Sequence, residues 1–141
     1  MTSSTELIRE IADDLVSREI PCAWGGGGMH GPSRGLSDGG GQADTNRDFL
    51  KEGFDAGSLA QYVLYQVFGI EIPRTTFTQR SHGYEVPEPD PGDLVFPYDH
   101  NGYATVYLGG KSVLAAPRSG TLVQIQPLPP SPNNIYIRMP R

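Results

Sequence analysis

Asp55-Ala56-Gly57-Ser58-Leu59-Ala60-Gln61-Tyr62-Val63-Leu64-Tyr65-Gln66-Val67-Phe68-Gly69 is the stretch on which the fold turns. Asp55 supplies a carboxylate suited to the free N–H groups of a helix's first turn, and Gly69 supplies a left-handed stop. Between them Leu59, Val63 and Val67 recur at helical spacing, which predicts a central helix over 55–69 with that stripe facing a core. Upstream, residues 3–20 read as an amphipathic helix. Ser3 and Glu6 have capping-box spacing, Leu7, Ile8, Ile11, Leu15 and Val16 form the apolar side, and Arg9, Glu10, Asp13 and Asp14 the polar side.

Between the two helices, residues 25–53 form a Gly/Asp-rich insertion with little periodicity, long enough to be either a functional loop or disorder. Downstream of Pro73 the pattern turns to β. Short runs at 93–96, 103–108, 112–116, 121–126 and 135–138 are punctuated by Gly and Pro, and the short gap after Leu108 predicts a hairpin. Helices first and a strand meander over 93–139 afterwards make the α+β class, with N-terminal helices packed on an antiparallel sheet of about five strands in one domain over 1–141.

Composition narrows the function. The 141 residues carry a net charge of −5, which argues against a nucleic-acid partner, since such surfaces are basic. No apolar run is long enough to span a membrane. The N-terminal residues lack the basic and apolar segments of a signal peptide, so the chain is expected to be either cytosolic or a mature piece of an exported precursor. A single cysteine, Cys22, excludes an internal disulfide framework and a cysteine-based zinc site.

Three local motifs are weak. Gly26-x-Gly28-x-x-Gly31 matches a dinucleotide fingerprint, but Pro32-Ser33-Arg34-Gly35 follows it rather than a helix. Asp44-x-Asn46-x-Asp48 resembles the start of a calcium loop, yet Phe49 stands at the glycine position and Asp55 at the glutamate position, so a solvated polar loop is expected instead. His30, His82 and His100 have no ligand spacing and are expected on loops. No metal or cofactor is implied.

An ordered set of segments is far more specific. Pro21-Cys22-Ala23-Trp24-Gly25-Gly26, Gly53-Phe54-Asp55-Ala56-Gly57-Ser58-Leu59, Ile72-Pro73-Arg74-Thr75-Thr76-x-x-Gln79, Pro91-Gly92-Asp93-Leu94-Val95-Phe96, Val106-Tyr107-Leu108-Gly109 and Ala116-Pro117-Arg118-Ser119-Gly120 follow one another in that order. Over residues 20–127 the chain resembles the NlpC/P60 family of papain-like cysteine peptidases, which cleave peptide stems of bacterial peptidoglycan. Residues 31–40 and 44–54 resemble the insertion of actinobacterial, mycobacterial-type members. The resemblance implies a secreted or cell-wall-associated protein.

In that family a cysteine at the first turn of the central helix attacks the amide, activated by the helix dipole and a histidine, and a third polar residue orients the imidazole. The resemblance puts Ala56 at the cysteine position, Tyr103 at the histidine position and Ala115 at the third. The family's following Ser-Gly reads Gly57-Ser58. A methyl group has no lone pair, and a phenol with a pKa near 10 is a poor base at neutral pH, so the chain is expected to be a pseudo-enzyme.

Its expected partner is the peptide stem of peptidoglycan. Asp55 would meet a stem amine, Ser58 a stem amide and Arg118 a stem carboxylate, with Trp24 and Tyr103 as walls. Two alternatives remain at this point. One is a protein-interaction or structural domain for other cell-wall proteins, with Tyr103 closing the groove. The other is residual cysteine chemistry through Cys22, which stands where the family has a tyrosine.

Overall fold

The computed structural model describes residues 3–98 and 102–141. His100 lies outside the described residues.

The first helix, α1 (Ser4–Ser17), starts where Ser3 accepts the Glu6 N–H. Its buried face is Ile8, Ala12 and Leu15; Val16, placed on the apolar side by periodicity, faces solvent, and Ala12 takes its share of the core. The central helix, α3 (Ala56–Phe68), begins and ends where the sequence predicts. Asp55 and Ser58 close a capping box and Gly69 turns left-handed with φ 68°. Such a cap contributes about 1 kcal/mol. Leu59, Ala60, Val63 and Leu64 are buried, whereas Val67 is only half-buried.

The sheet holds six strands rather than about five. In chain order they are β3 (Tyr84–Val86), β4 (Leu94–Phe96), β5 (Thr105–Gly109), β6 (Ser112–Ala115), β7 (Gln124–Pro127) and β8 (Ile135–Arg138). Their spatial order is β3-β8-β4-β5-β6-β7, antiparallel throughout. Strands β4 to β7 form the expected meander, with the hairpin at Gly109 and Gly110. The last strand leaves it: β8 returns across the sheet to pair with β4 on one side and β3 on the other. One apolar core, including Leu64, Leu94, Val106, Leu114 and Ile137, joins α1, α3 and the sheet. Each fully buried Leu or Val in it contributes about 1.5–3 kcal/mol of transfer free energy.

Helix and strand also form at 76–82 and 84–86, where the sequence shows no periodic pattern. Helix α4 (Thr76–His82) is capped by Thr75 and places His82 at a helix end rather than on a loop. It leads directly into β3.

The 25–53 segment is ordered. It contains a small ribbon of β1 (Ser33–Arg34) and β2 (Glu52–Gly53), a one-turn helix α2 (Gln42–Thr45) and a 3-10 turn at Asp48–Leu50. Its aspartates Asp38, Asp44 and Asp48 are not solvated, as a polar loop would have them, but cap backbone, while Glu52 is exposed. Asp38 accepts from Gly41, Ala43 and Asp44 N–H groups; Asp44 accepts from Asp38 and Gly40 N–H groups and from the Ser37 hydroxyl. Asp48 is fully buried, accepts the Trp24 N–H at 3.0 Å and lies 3.6 Å from Lys51 Nζ. After Gly31 the chain enters β1, so no helix opens on the glycine-rich turn.

Partial desolvation pushes the Asp38 carboxyl up, but its three backbone donors outweigh that and hold it below the ordinary aspartate value. A depressed pKa means that this contribution to loop order is present above the unfolded-state value near 3.9 and is lost as pH falls through the folded one. An NMR titration is therefore expected to give an Asp38 midpoint below 3.8, with the Ala43 and Asp44 amides moving at the same midpoint. A midpoint at or above the ordinary value would contradict the capping role.

Candidate functional site

A cleft of about 290 Å³ opens at the N-terminus of α3. Three stretches converge there. The first is 22–24, which with Ile20 before it is stitched on one side to 121–123 through Cys22 N–H to Thr121 O and Val123 N–H to Ile20 O, and on the other to Phe54 through Ala23 N–H to Phe54 O. The second is the first turn of α3 with the segment 74–76. The third combines Gly102 and Tyr103 before β5 with the turn 116–119 after β6. Cross-links fix the rim. Thr76 Oγ1 donates to Gly102 O at 2.8 Å, and Asn46 Nδ2 donates to Ser119 Oγ at 2.9 Å, so the insertion braces the turn that carries Arg118.

Arg74 organises the helix end. Its guanidinium donates to both oxygens of Asp55, at 2.8 and 3.0 Å, and to the Gly26 carbonyl at 3.0 Å. The Asp55 carboxylate also accepts the Ser58 N–H at 2.9 Å. It is thus already engaged by a bidentate cation and a helix cap, the strong form of such a pair. Ser58 is fully buried, and its hydroxyl donates to Gly26 O at 2.7 Å. It positions the glycine-rich turn and does not reach the cleft, which corrects its expected contact with a stem amide. Gly57 packs against the Arg74 carbonyl so closely that a β-carbon there would run into that oxygen. Gln79, also fully buried, donates from Nε2 to Gly57 O and Pro73 O and holds the same junction from behind.

Of the three positions matched to a peptidase triad, two come together. Ala56 is half-buried and lines the cleft, as does Tyr103. Ala115 is fully buried within β6, opposite Gln124, and the cleft wall is formed by its neighbour Ala116. Burial, aided by the nearby Cys22 and opposed by Arg118, pushes the Tyr103 phenol up to about 12. At neutral pH it is a neutral group and no base.

Cys22 is 3% exposed and its Sγ lies 3.3 Å from Thr121 Oγ1. Desolvation raises its pKa against the opposing hydrogen bonds, so the thiol stays protonated. Among the described residues no histidine lines the cleft, and His30 instead meets the Tyr65 ring edge-on. The reading of Cys22 as a relocated nucleophile loses its physical basis here. Trp24 and Arg118 remain accessible in the cleft, and among the described residues Arg118 makes no ion pair. Tyr103 lines the cleft without filling it, which weighs against a groove plugged by that ring. Among the described residues no three His, Cys, Asp or Glu side chains are grouped to hold a metal ion, and no helix is long and apolar enough to cross a membrane.

Comparison with known proteins agrees with this geometry. Over 113 residues, 77% of its length, the chain is 37% identical to the peptidoglycan endopeptidase RipB of Mycobacterium tuberculosis and 34% identical to the peptidoglycan endopeptidase RipA of the same organism. It spans 42% of the first and 22% of the second. Among solved structures, RipD from M. tuberculosis, a non-catalytic NlpC/p60 domain protein with an adaptation to peptidoglycan-binding function, superposes with a TM-score of 0.74. That match has 27% identity and covers 98% of both chains. The crystal structure of RipB gives a TM-score of 0.69 at 30% identity, covering 94% of this chain and 66% of that one. The α+β papain-like fold expected from sequence is the fold of these proteins. The NlpC/P60 family model matches residues 21–136, and the chain belongs to the NlpC/P60 family.

Proposed function

We propose that this protein holds a peptide stem of bacterial peptidoglycan in the cleft at α3 without cutting it, as a secreted or cell-wall-associated binding protein. The observation that carries the reading is an open cleft whose reactive position is a methyl group, Ala56, beside an exposed cation, Arg118, that makes no ion pair among the described residues. Ground-state binding and bond breaking use different interactions, so a cleft can keep the first after losing the second. Arg118 would take a stem carboxylate, Trp24 and Tyr103 would wall the chain, and the Asp55–Arg74 pair would shape the floor and offer Asp55 to a stem amine only in competition with Arg74. The non-catalytic character of RipD and its peptidoglycan-binding function support the same reading.

Trp24 is the only tryptophan and stands in the cleft, so its fluorescence reports on this site alone. Stem tetrapeptides are expected to change that emission saturably, and the protein is expected to co-sediment with insoluble peptidoglycan. Neither reaction should release new amine termini. Arg118→Ala is expected to weaken the tetrapeptide about tenfold or more, as loss of a charge-assisted hydrogen bond does. Absence of binding at any salt concentration would overturn the proposal.

A thiol placed at the helix end tests the electrostatics separately. In Ala56→Cys, the new thiol is expected to alkylate at neutral pH about tenfold faster than Cys22 or more, because it gains the helix N-terminus and solvent where Cys22 has neither. Equal rates would show that the cleft does not activate that position.

A further inference from the structure

We propose that an apolar strip beside the cleft, built from Trp24, Leu36 and Leu50 with Phe49 at its margin, binds the sugar rings to which a stem is attached. The inference rests on the stem-binding reading and extends it from the peptide to the glycan. The ribbon pairs Ser33 with Gly53 and Arg34 with Glu52, and Gly35 N–H continues it to Lys51 O. The 3-10 turn that ends at Leu50 packs against β1. On its other side Leu36 N–H donates to Trp24 O at 2.8 Å, and the Leu36 side chain lies over Gly25.

Trp24, Leu36 and Leu50 thus stand on three neighbouring backbone segments. All three are exposed, at 49%, 57% and 59%, and Phe49 at 38%. Large apolar side chains seldom stand together in water on a segment this firmly pinned; Asp48, buried beneath them, holds the Trp24 N–H while Asp38 and Asp44 cap the rest.

The occupant follows from size, chemistry and place. A stable protein partner needs roughly 800 Å² per side, well beyond these few half-exposed side chains. A pyranose ring presents C–H groups on its faces and hydroxyls at its edge, which suits an apolar strip rimmed by exposed Arg34 and Glu52. Trp24 belongs to both the strip and the cleft, so a stem lying in the cleft can run onto the strip at its sugar end.

The test is a Trp24 fluorescence titration with three probes: a disaccharide–tetrapeptide muropeptide, the same tetrapeptide freed of its sugars, and the disaccharide alone. The muropeptide is expected to bind about tenfold tighter than the bare tetrapeptide or more. In Leu36→Ser/Leu50→Ser, checked for folding by its melting curve, muropeptide affinity is expected to fall to the wild-type value for the bare tetrapeptide. Equal affinity for muropeptide and tetrapeptide in the wild type overturns this inference and leaves stem binding standing. An advantage for the muropeptide that survives the double substitution also overturns it, by placing the sugars elsewhere. Failure of muropeptide and tetrapeptide alike overturns both readings.

Discussion

The carbonyl oxygen of Gly26 accepts from Ser58 Oγ at 2.7 Å and from Arg74 Nη2 at 3.0 Å. One peptide group therefore joins the glycine-rich turn, the first turn of α3 and the segment entering α4. Arg74 returns the tie by clasping Asp55, the residue that caps α3. Surface ion pairs are worth little on their own, but this one is bidentate and shares its cation with a backbone acceptor, which is where geometry adds to energy. Floor and walls of the cleft are set by this junction, so its shape does not depend on any residue that would perform chemistry in it.

That independence lets such a cleft keep its shape whichever side chain stands at position 56. The groups that shape it are Ser58, Arg74, Asp55 and Gln79, together with the hydrogen bonds from Thr76 and Asn46 to its rim. The side chains at the reactive positions, Ala56 and Tyr103, hang from that frame. Tyr103 brings bulk and a neutral hydroxyl to the wall, and its high pKa keeps that hydroxyl protonated through the neutral range. A binding cleft profits from such constancy, whereas a hydrolase needs a group that can give and take a proton near neutrality.

Much of this was legible from residues whose signal is local. Asp55 and Gly69 bracket α3 because a cap and a left-handed stop act within one turn, and β-branched runs between Gly and Pro mark most of the strands. Order within the sheet is a different matter: Ile135–Arg138 reads as a strand, but nothing in four residues says that it returns between β3 and β4. Helix α4, Thr-Phe-Thr-Gln-Arg-Ser-His, is short and nearly all polar, so it has no apolar period by which to be read. In the site, motif order named Trp24, Ala56, Tyr103 and Arg118, and all four line one cleft. Ser58 was misjudged because a hydroxyl at the third helical position serves a capping box as readily as a ligand. The acidic run 38–48 hid its role because an aspartate that caps backbone looks, in sequence, like one that faces water.

The contact between Gly57 and the Arg74 carbonyl limits what position 57 can hold. The family resemblance puts a serine where Gly57 stands, yet any side chain at that position now collides with a peptide group that Gln79 and the Asp55–Arg74 clasp hold in place. A larger residue at position 57 therefore has to move the peptide group of Arg74 before it fits. Because that peptide group is tied on both sides, the strain of such a change would spread to the cap of α3 and to the entry of α4: the position is locked by packing.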